Sequence, residues 1–451
     1  MARTSSSFPG PRRRAGRRGE GAVEDAVEDA VEAFEEGDRP IRTGTARAAL
    51  ANDVFRRVFV GAFLSNIGSW MQNVVLGALA YDLTRSPTFV GVLLFAQLGP
   101  LLLFSMVGGL LADAFDRRRL LVTVSVTQGI LSLALAWVAR GADPSKVALV
   151  GIVFLIGVGQ AVFGPTYGAL LPQLVGRQNL AGAISLNSAQ MNGSRVIGPA
   201  IGSAIFARWG PDVVFVLNAL SYLLVIWSLL SVKLPPPTPD TSGLRGIRRL
   251  LGGLQVARRD RVVGRCLIVI VVFSLLSLPF IGQLPTLADV NLGIEARSTK
   301  YGFLYAAFGT GALVGALSIG TVLANRRLED VVRAGLVVFA AFLAVFAVLR
   351  SPLPAYALVF LVGLAYFAVI TSLSTVLQQR LDDSNRGRVM ALWMMGFGGT
   401  VPVGNLLAGP MIEATSITAV VLFGAAVSVV LAWWADLDPP PGELNEPEAA
   451  A

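Results

Sequence analysis

Twelve apolar segments, each about 20 to 26 residues long, recur along this 451-residue chain and constrain its fold more than any other feature. An α-helix rises about 1.5 Å per residue, so about 20 apolar residues cross the ~30 Å hydrocarbon core of a bilayer. A membrane barrel would instead show alternating segments of about ten residues. The sequence therefore predicts an all-α membrane protein with twelve transmembrane helices. The predicted segments are 58–81, 88–112, 119–139, 147–171, 183–207, 212–232, 265–288, 301–324, 331–349, 353–378, 388–413 and 417–435.

The composition excludes several classes of enzyme and metal site. Histidine is absent, which excludes Ser-His-Asp catalysis and His-ligated metals. The single cysteine, Cys266, cannot form a cysteine cluster or an intramolecular disulfide. None of the three lysines lies in a glycine-rich phosphate-binding motif. We therefore expect a chain that is not an enzyme and that uses no cofactor or metal.

The placement of the basic residues predicts the orientation of the chain in the membrane. With the N-terminus inside, the inner loops hold 18 Lys and Arg residues and the outer loops hold seven. Cytoplasmic loops of membrane proteins carry such an excess. The pattern accounts for the net charge of +8 without a nucleic-acid partner. It predicts a multi-pass protein of the cytoplasmic membrane with both termini in the cytoplasm.

The segments form two groups of six, with polar stretches around them. We predict an N-terminal tail at 1–54, a first bundle at 55–233, a linker at 234–264, a second bundle at 265–435 and an acidic tail at 436–451. The N-terminal tail is expected to be mostly disordered, with a short helix in AVEDAVEDAVEAFEE (22–36) as the alternative. The linker stretch LRGIRRLLGGLQVARRDR (244–261) predicts an amphipathic helix on the lipid surface, acting as a tether or as a partner-binding helix.

A weak internal repeat supports the division into two bundles. An offset of 207 residues pairs Leu174 with Leu381 in corresponding loops, and the same offset pairs Gly202 with Gly409. Two related bundles that face each other place a substrate site at their interface, near the bilayer midplane. We therefore predict that the twelve helices form two pseudo-symmetric six-helix bundles.

The stretch GGLLADAFDRRRLL (108–121), between the second and third segments, combines small, acidic and basic residues. Gly109 would let a neighbouring helix approach closely, and Asp113 would face a helix N-terminus. Arg117 and Arg118 would pair with acids or with helix-end carbonyl groups. Such a cluster can hold the cytoplasmic ends of two bundles together and then release them. The alternative is that the arginines only set the topology.

This stretch resembles the G-x-x-x-D-R-x-G-R-R signature of the major facilitator superfamily, although Ala114 replaces its first Arg. The matching residues are Gly109, Asp113, Arg117 and Arg118. Further stretches, among them GPTYGALLPQLV (164–175) and RGRVMALWMMGFGGTVPVGNLLAGPM (386–411), are similar to the branch that contains enterobactin, macrolide and multidrug exporters. The resemblance implies the major facilitator fold and transport by alternating access.

The fifth segment contains RVIGPAIGS (195–203), which is similar to the antiporter motif of the exporters in this superfamily. Gly198, Pro199 and Gly202 match that motif. Pro199 removes a backbone hydrogen bond and Gly202 permits close packing, so we expect a kink or a tight seam between helices. The alternative is that Gly and Pro are simply common in membrane helices.

Arg195 lies near the middle of the fifth segment. An Arg at the bilayer centre costs about 2.5–3.5 kcal/mol on insertion scales, so it should face a cavity or a polar partner. We expect contact with an anionic or strongly polar substrate, or coupling to a protonatable acid. The alternative is a structural pair with carbonyl or amide groups.

Four amide residues lie within apolar segments and are candidates for the cavity wall. The resemblance implies that helices 1, 4, 7 and 10 line the cavity, which places Asn66, Asn73, Gln160 and Gln283 there. The alternative is hydrogen bonding between helices, worth about 0.6 kcal/mol for each pair.

These features together predict a secondary transporter that exports an amphipathic small molecule, drug-like or siderophore-like, as a monomer. Proton antiport is implied by the resemblance, with Asp113 and Asp82 as candidate coupling residues, because no Asp or Glu lies at the centre of a segment. Uptake and lysolipid flipping are alternatives within the same fold. A non-transporting membrane scaffold is the alternative from another class.

Overall fold

The computed structural model describes residues 43–232 and 247–437. Within these ranges the chain is helical and contains no strand. Three predicted features lie outside the described residues. They are the disorder of residues 1–42, the start of the linker at 233–246 and the acidic tail from 438 onward.

Between residues 43 and 232 the chain forms one short helix and six long ones, which make up the first half. They are α1 (Ala46–Ala51), α2 (Asp53–Thr84), α3 (Pro87–Ala114), α4 (Arg117–Ala139), α5 (Lys146–Val175), α6 (Leu180–Trp209) and α7 (Pro211–Ser231).

Residues 247–437 form the linker helix and the second half. The helices are α8 (Ile247–Arg259), α9 (Arg261–Val272), α10 (Pro279–Gly282), α11 (Leu284–Leu292), α12 (Thr299–Gly320), α13 (Leu328–Val348), α14 (Pro352–Gln379), α15 (Asp383–Met394), α16 (Thr400–Ala414) and α17 (Ile417–Trp434). π-helical turns at Phe273–Ser277 and Met395–Gly399 follow α9 and α15.

Side-chain caps set where several of these helices begin. Ser86 precedes Pro87 and accepts a hydrogen bond from the Phe89 backbone N–H at 3.3 Å. Asp116 accepts from the Arg119 N–H at 2.8 Å, which begins α4 within the motif at 108–121. Such caps satisfy N–H groups that have no partner inside the helix. The short turns between helices therefore follow from local sequence.

Ten helical stretches among the described residues are long and apolar enough to span a bilayer. The long helices α2 and α6 are not among these ten, although they coincide with the first and fifth predicted segments. Their 32 and 30 residues include amide, hydroxyl and charged side chains, which lower the mean hydropathy. The all-α membrane fold is confirmed, and the count of twelve spans stays a prediction.

A serine contact recurs between the first and last long helices of each half, and its donors keep the offset of 207 residues, whereas its acceptors are 212 residues apart. In the first half, the Ser221 hydroxyl of α7 bonds Ser65 of α2 at 3.4 Å. In the second half, the Ser428 hydroxyl of α17 bonds Ser277 at 2.9 Å. Ser221 and Ser428 are 207 residues apart. The internal repeat in the sequence therefore has a counterpart in the packing of the first and last long helices of each half.

A second repeated contact corrects the role expected for Gly109. A Cβ built on Gly109 meets nothing within 4 Å, whereas one built on Gly108 would collide with the Ala161 carbonyl of α5. In the second half, a Cβ on Gly315 of α12 would collide with the Leu364 carbonyl of α14. Gly108 and Gly315 are also 207 residues apart. The close helix approach is therefore made by Gly108, because adjacent residues of a helix face directions about 100° apart.

Two seams join the halves. In one seam α3 packs on α16, and in the other α6 packs on α12. Gly409 lies so close to α3 that an added Cβ would be 2.5 Å from the Thr88 Cα. Gly309 of α12 faces the Arg195 carbonyl in the same way, at 3.0 Å. Small residues thus let the backbones of opposite halves approach closely.

We call the end of the molecule that carries Arg85, Pro87 and Asp289 the distal end, and the opposite end the proximal end. The predicted tail reached residue 54, but the helical structure begins at Ala46 on the proximal side. Asn52 donates to the Leu174 carbonyl at 3.0 Å, and Ala49 is fully buried. The linker helix α8 rests at Gly253 on the Arg388 carbonyl of α15. The segment that precedes α2 and the linker helix α8 therefore both pack against the proximal end.

Candidate functional site

Arg195 lies midway along α6, about 22 Å from either end of that helix. Its guanidinium carbon is 5.0 Å from the ring centre of Trp70 on α2 and 4.9 Å from that of Phe367 on α14. Because α2 belongs to the first half and α14 to the second, this one cation contacts both halves. Cation–π contacts of this kind are worth about 0.5–2 kcal/mol each, depending on desolvation.

Within the described residues, Arg195 lacks a polar partner for its Nε, which is buried. No described carboxylate forms an ion pair with it. Burying a charged group without a polar partner is costly. The two rings stabilise the cation through cation–π contacts, and its buried Nε keeps an unused donor.

Phe367, which contacts this cation, is packed among further aromatic rings of the second half. Tyr366 precedes Phe367 on α14, and their rings meet edge to face at 4.7 Å. Tyr366 also stacks on Phe308 at 5.9 Å, and Tyr305 meets Phe308 edge to face at 6.2 Å. We call Trp70, Arg195, Tyr305, Tyr366 and Phe367 the central cluster. Four of its five members are aromatic, and none of those four was singled out from the sequence, because aromatic residues are common in apolar segments.

The glycines of the fifth segment hold Trp70 in place. A Cβ on Gly198 would lie 2.5 Å from the Trp70 Cβ, and one on Gly202 would lie 2.8 Å from the Met71 Cα. Gly198 and Gly202 are buried in this seam between α6 and α2, and Pro199 is buried with its carbonyl against Gly302 of α12. Gly198 is three residues from Arg195, so it lies on the same face of α6. The seam therefore brings the Trp70 ring under the guanidinium.

The four amide candidates occupy different environments. Asn66 is half-buried on α2. Asn73 is half-buried and accepts a hydrogen bond from Gln97 of α3. Gln160 is half-buried on α5, beside the Tyr222 hydroxyl.

Gln283 is fully buried and both ends of its amide are paired. It donates to the Pro87 carbonyl at 2.9 Å and accepts from Thr286 at 3.0 Å. Gln283 therefore joins the second half to the start of α3 at the distal end.

An ion pair joins the halves at the distal end. Arg85 Nη1 lies 2.9 Å from Asp289 Oδ2, and the Tyr81 hydroxyl donates to the same carboxylate at 3.2 Å. Asp82 lies 3.7 Å from Arg85. The hydrogen bond to Asp289 raises the pKa of the Arg85 guanidinium. Arg85 adopts φ 51°, a left-handed conformation that costs a non-glycine residue about 1–2 kcal/mol.

A second distal contact joins α16 to the start of α3. Glu413 accepts a hydrogen bond from the Ser86 hydroxyl at 2.5 Å and from the Thr88 N–H at 3.2 Å. We call these residues, with Arg85 and Asp289, the distal lock. The sequence placed Asp289 and Glu413 at helix ends on the outer side but gave no sign that they pair with the first half.

The arginines of the 108–121 motif stay within the first half. Arg117 donates to the Ala169 carbonyl at 2.9 Å, and Arg118 donates to the Leu230 carbonyl at 2.8 Å. Leu230 is in the last turn of α7, where carbonyl groups lack helical partners. We expected these arginines to pair with acids or with helix-end carbonyl groups, and both donate to carbonyl groups. Asp113 is in the last turn of α3, and its side chain lies outside the described structure.

A cavity of about 640 Å³ lies at the proximal end, between the last turns of α12 and α14. Thr371, Thr375 and Gln379 line it from α14, and Arg326 and Glu329 line it from the α12–α13 connection. Thr371 is four residues from Phe367, so the two side chains lie on the same face of α14, about 6 Å apart along the axis. The lining residues all belong to the second half, and Thr371 lies one helical turn from Phe367 along α14. No group of His, Cys, Asp and Glu suited to a metal ion occurs among the described residues.

Comparison with known proteins agrees with this architecture. The model of a family described as "Transmembrane secretion effector" matches residues 44–443. The enterobactin exporter EntS of Escherichia coli O1:K1 / APEC is 29% identical over 351 residues, which cover 75% of this chain and 80% of the exporter. EntS of Shigella boydii serotype 4 (strain Sb227) gives the same identity and coverage.

Solved structures resemble the fold at low sequence identity. A crystal structure of the nucleoside transporter NupG superposes with a TM-score of 0.68 at 15% identity, covering 85% of this chain and 98% of NupG. A bacterial homologue of the iron transporter ferroportin, in its inward-facing state, gives a TM-score of 0.65 at 14% identity and covers 85% and 98% of the two chains.

Proposed function

The chain belongs to the transmembrane secretion effector family of major facilitator transporters, and on that premise we propose that it exports an amphipathic small molecule from the cytoplasm by alternating access. The substrate would be drug-like or siderophore-like, as the name of the enterobactin exporter relatives suggests. The proposed orientation has the proximal end, with both termini, in the cytoplasm.

The observation that carries this proposal is the central cluster. Arg195 is a half-buried cation at mid-membrane depth, and its contacts come from α2 and α14, on opposite halves. A charged residue at that depth marks a substrate or ion pathway more often than a structural pair. A site built from both halves changes shape when the halves move relative to each other, as alternating access requires.

The distal lock supports the conformational part of the proposal. The Arg85–Asp289 pair and the Glu413 contacts join the halves at one end, and the described cavity lies at the other end. In the proposed cycle, substrate enters from the proximal side while the distal lock is closed. Opening of this lock then releases the substrate outside.

Proton antiport is the proposed driving force, with Asp82 and Asp113 as candidate coupling residues. Moving one charge across 100 mV is worth about 2.3 kcal/mol, to which a proton gradient adds. Asp82 lies next to the distal lock, where protonation would weaken its attraction to Arg85.

Inverted membrane vesicles test direction and coupling. An exporter driven by protons should accumulate a radiolabelled drug or siderophore inside energised inverted vesicles, and a protonophore should abolish the accumulation. Vesicles with an Arg195→Ala variant of normal expression serve as the control for the site. Loss of substrate from preloaded inverted vesicles on energisation would instead indicate uptake, and translocation of labelled lysolipid alone would indicate a flippase.

A further inference from the structure

From the contacts of Arg195 we infer that the substrate of the central cluster is an aromatic anion. The inference rests on the proposed export function and names the chemical class that the site would select. It excludes cationic amphipathic compounds as preferred substrates of this site.

The charge of the site favours the binding of an anion. The chain has no Asp or Glu near the middle of any apolar segment. No described carboxylate pairs with Arg195, and its buried Nε has no partner. A guanidinium at this depth is stabilised most by a charge of opposite sign. The chain does not provide that charge in the described structure, so a bound ligand is the group suited to supply it.

The geometry of the site calls for a planar anion attached to a ring. The Trp70 and Phe367 rings lie 5.0 and 4.9 Å from the guanidinium carbon, and the Nε donor has no partner among the described residues. A planar carboxylate accepts two parallel hydrogen bonds from such an edge. The Trp70 and Phe367 rings beside the guanidinium also offer aromatic surface to a ligand that carries a ring.

The neighbouring cavity favours the same class of ligand. The Arg326 guanidinium at its edge has no hydrogen-bond or ion-pair partner among the described residues, and the α14 side of the cavity presents hydroxyl and amide groups. The lining contributes two Arg and one Glu. The Arg326 guanidinium would therefore attract an anion that enters this cavity from the proximal end.

Two xanthene dyes of opposite charge test the inference on the purified full-length chain. Fluorescein is an anion in mildly alkaline buffer, and rhodamine 123 is a cation with the same ring system. Fluorescence polarisation should show tighter binding of fluorescein to the unmodified protein. Arg195→Gln should weaken fluorescein binding by about 10-fold or more, because hydrogen bonds to charged groups contribute about 1.5–3 kcal/mol. The same variant should leave rhodamine 123 binding unchanged or tighter.

Three further variants make the result specific. Arg140→Gln removes a cation from an exposed distal loop and should leave both affinities unchanged. Arg195→Lys retains the charge without the planar fork and should give an intermediate loss. Phe367→Leu should weaken fluorescein binding by about three- to ten-fold, since the site loses one ring, and it tests the cluster if Arg195→Gln does not fold.

The outcomes separate this inference from the export function. Equal or tighter binding of rhodamine 123 by the unmodified protein, or fluorescein binding that is insensitive to both Arg195→Gln and Phe367→Leu, would overturn the inference. If energised inverted vesicles accumulate rhodamine 123 instead of fluorescein, export stands and the inference falls. If fluorescein binds through Arg195 but is never accumulated, the inference stands and the export function falls.

Discussion

Arg85 and Asp289 are 204 residues apart in the chain and lie 2.9 Å apart in the structure, where they connect the first half to the second at the distal end. Arg85 follows the last residue of α2 in a left-handed conformation, and Asp289 lies in the short helix α11. The Tyr81 hydroxyl, one turn earlier on α2, holds the same carboxylate.

Breaking this ion pair should favour opening of the distal end. A partly exposed ion pair contributes up to about 1 kcal/mol, so Asp289→Asn should raise the open population by roughly five-fold. Spin labels at the exposed distal positions Gly141 and Ser351, in a Cys266→Ala background, would report the change as a longer distance component. Glu295→Gln, at an exposed distal position of the second half outside this pair, is the matched control and should leave the distances unchanged. An unaltered distance distribution in Asp289→Asn would remove this pair from the distal lock.

Gly108 and Gly109 should differ sharply in their tolerance of a side chain. Gly108→Val pushes atoms into the Ala161 carbonyl and should lower the free energy of unfolding by about 1–3 kcal/mol. Gly109→Val adds the same side chain to the same helix turn where nothing lies within 4 Å. The loss of helix propensity is common to both variants. Thermal unfolding in detergent compares them, and equal melting temperatures would contradict the packing described for α3 and α5.

Two amides on α2 should show opposite effects when they are replaced. The Gln72 Oε1 accepts hydrogen bonds from Ser132 at 3.0 Å and Asn218 at 2.9 Å in a buried network. Gln72→Leu leaves those donors unpaired and should destabilise the protein by about 1–3 kcal/mol without a specific change in substrate affinity. Asn66→Leu should instead lower affinity at unchanged stability. Melting temperature and dye affinity, measured on both variants, test these two roles. A loss of stability in Asn66→Leu alone would reverse the roles given to Gln72 and Asn66.

Arg326 should affect the rate of substrate entry more than affinity at the central cluster. Its guanidinium lies at the edge of the proximal cavity without a partner in the described part of the chain, so its attraction for an anion acts before binding is complete. Arg326→Gln should slow fluorescein association by a few-fold at low salt, and the difference should disappear in high salt because exposed charges are screened. Stopped-flow fluorescence measures both rates. A change confined to the dissociation rate would place Arg326 in direct contact with bound ligand instead.

The sequence alone was sufficient to predict the all-α membrane fold and the placement of most long helices. The apolar segments coincide with the described helices because a backbone in lipid must satisfy its hydrogen bonds within a helix, whatever its neighbours are. The isolated charge of Arg195 was also visible, since an Arg in an apolar segment is costly wherever the helix packs.

Only the tertiary structure decided which face of each helix meets which neighbour. It joined Arg195 to Trp70 and Phe367, which lie 125 and 172 residues away in the chain. It also showed that Gly108 instead of Gly109 makes the close approach to α5, and that Gln283 bonds the start of α3 at the distal end. In a lipid-exposed helix apolar residues cover every face, so hydropathy does not distinguish the packed face from the lipid face. Those contacts depend on shape complementarity between whole helices, which a local pattern of residues does not contain.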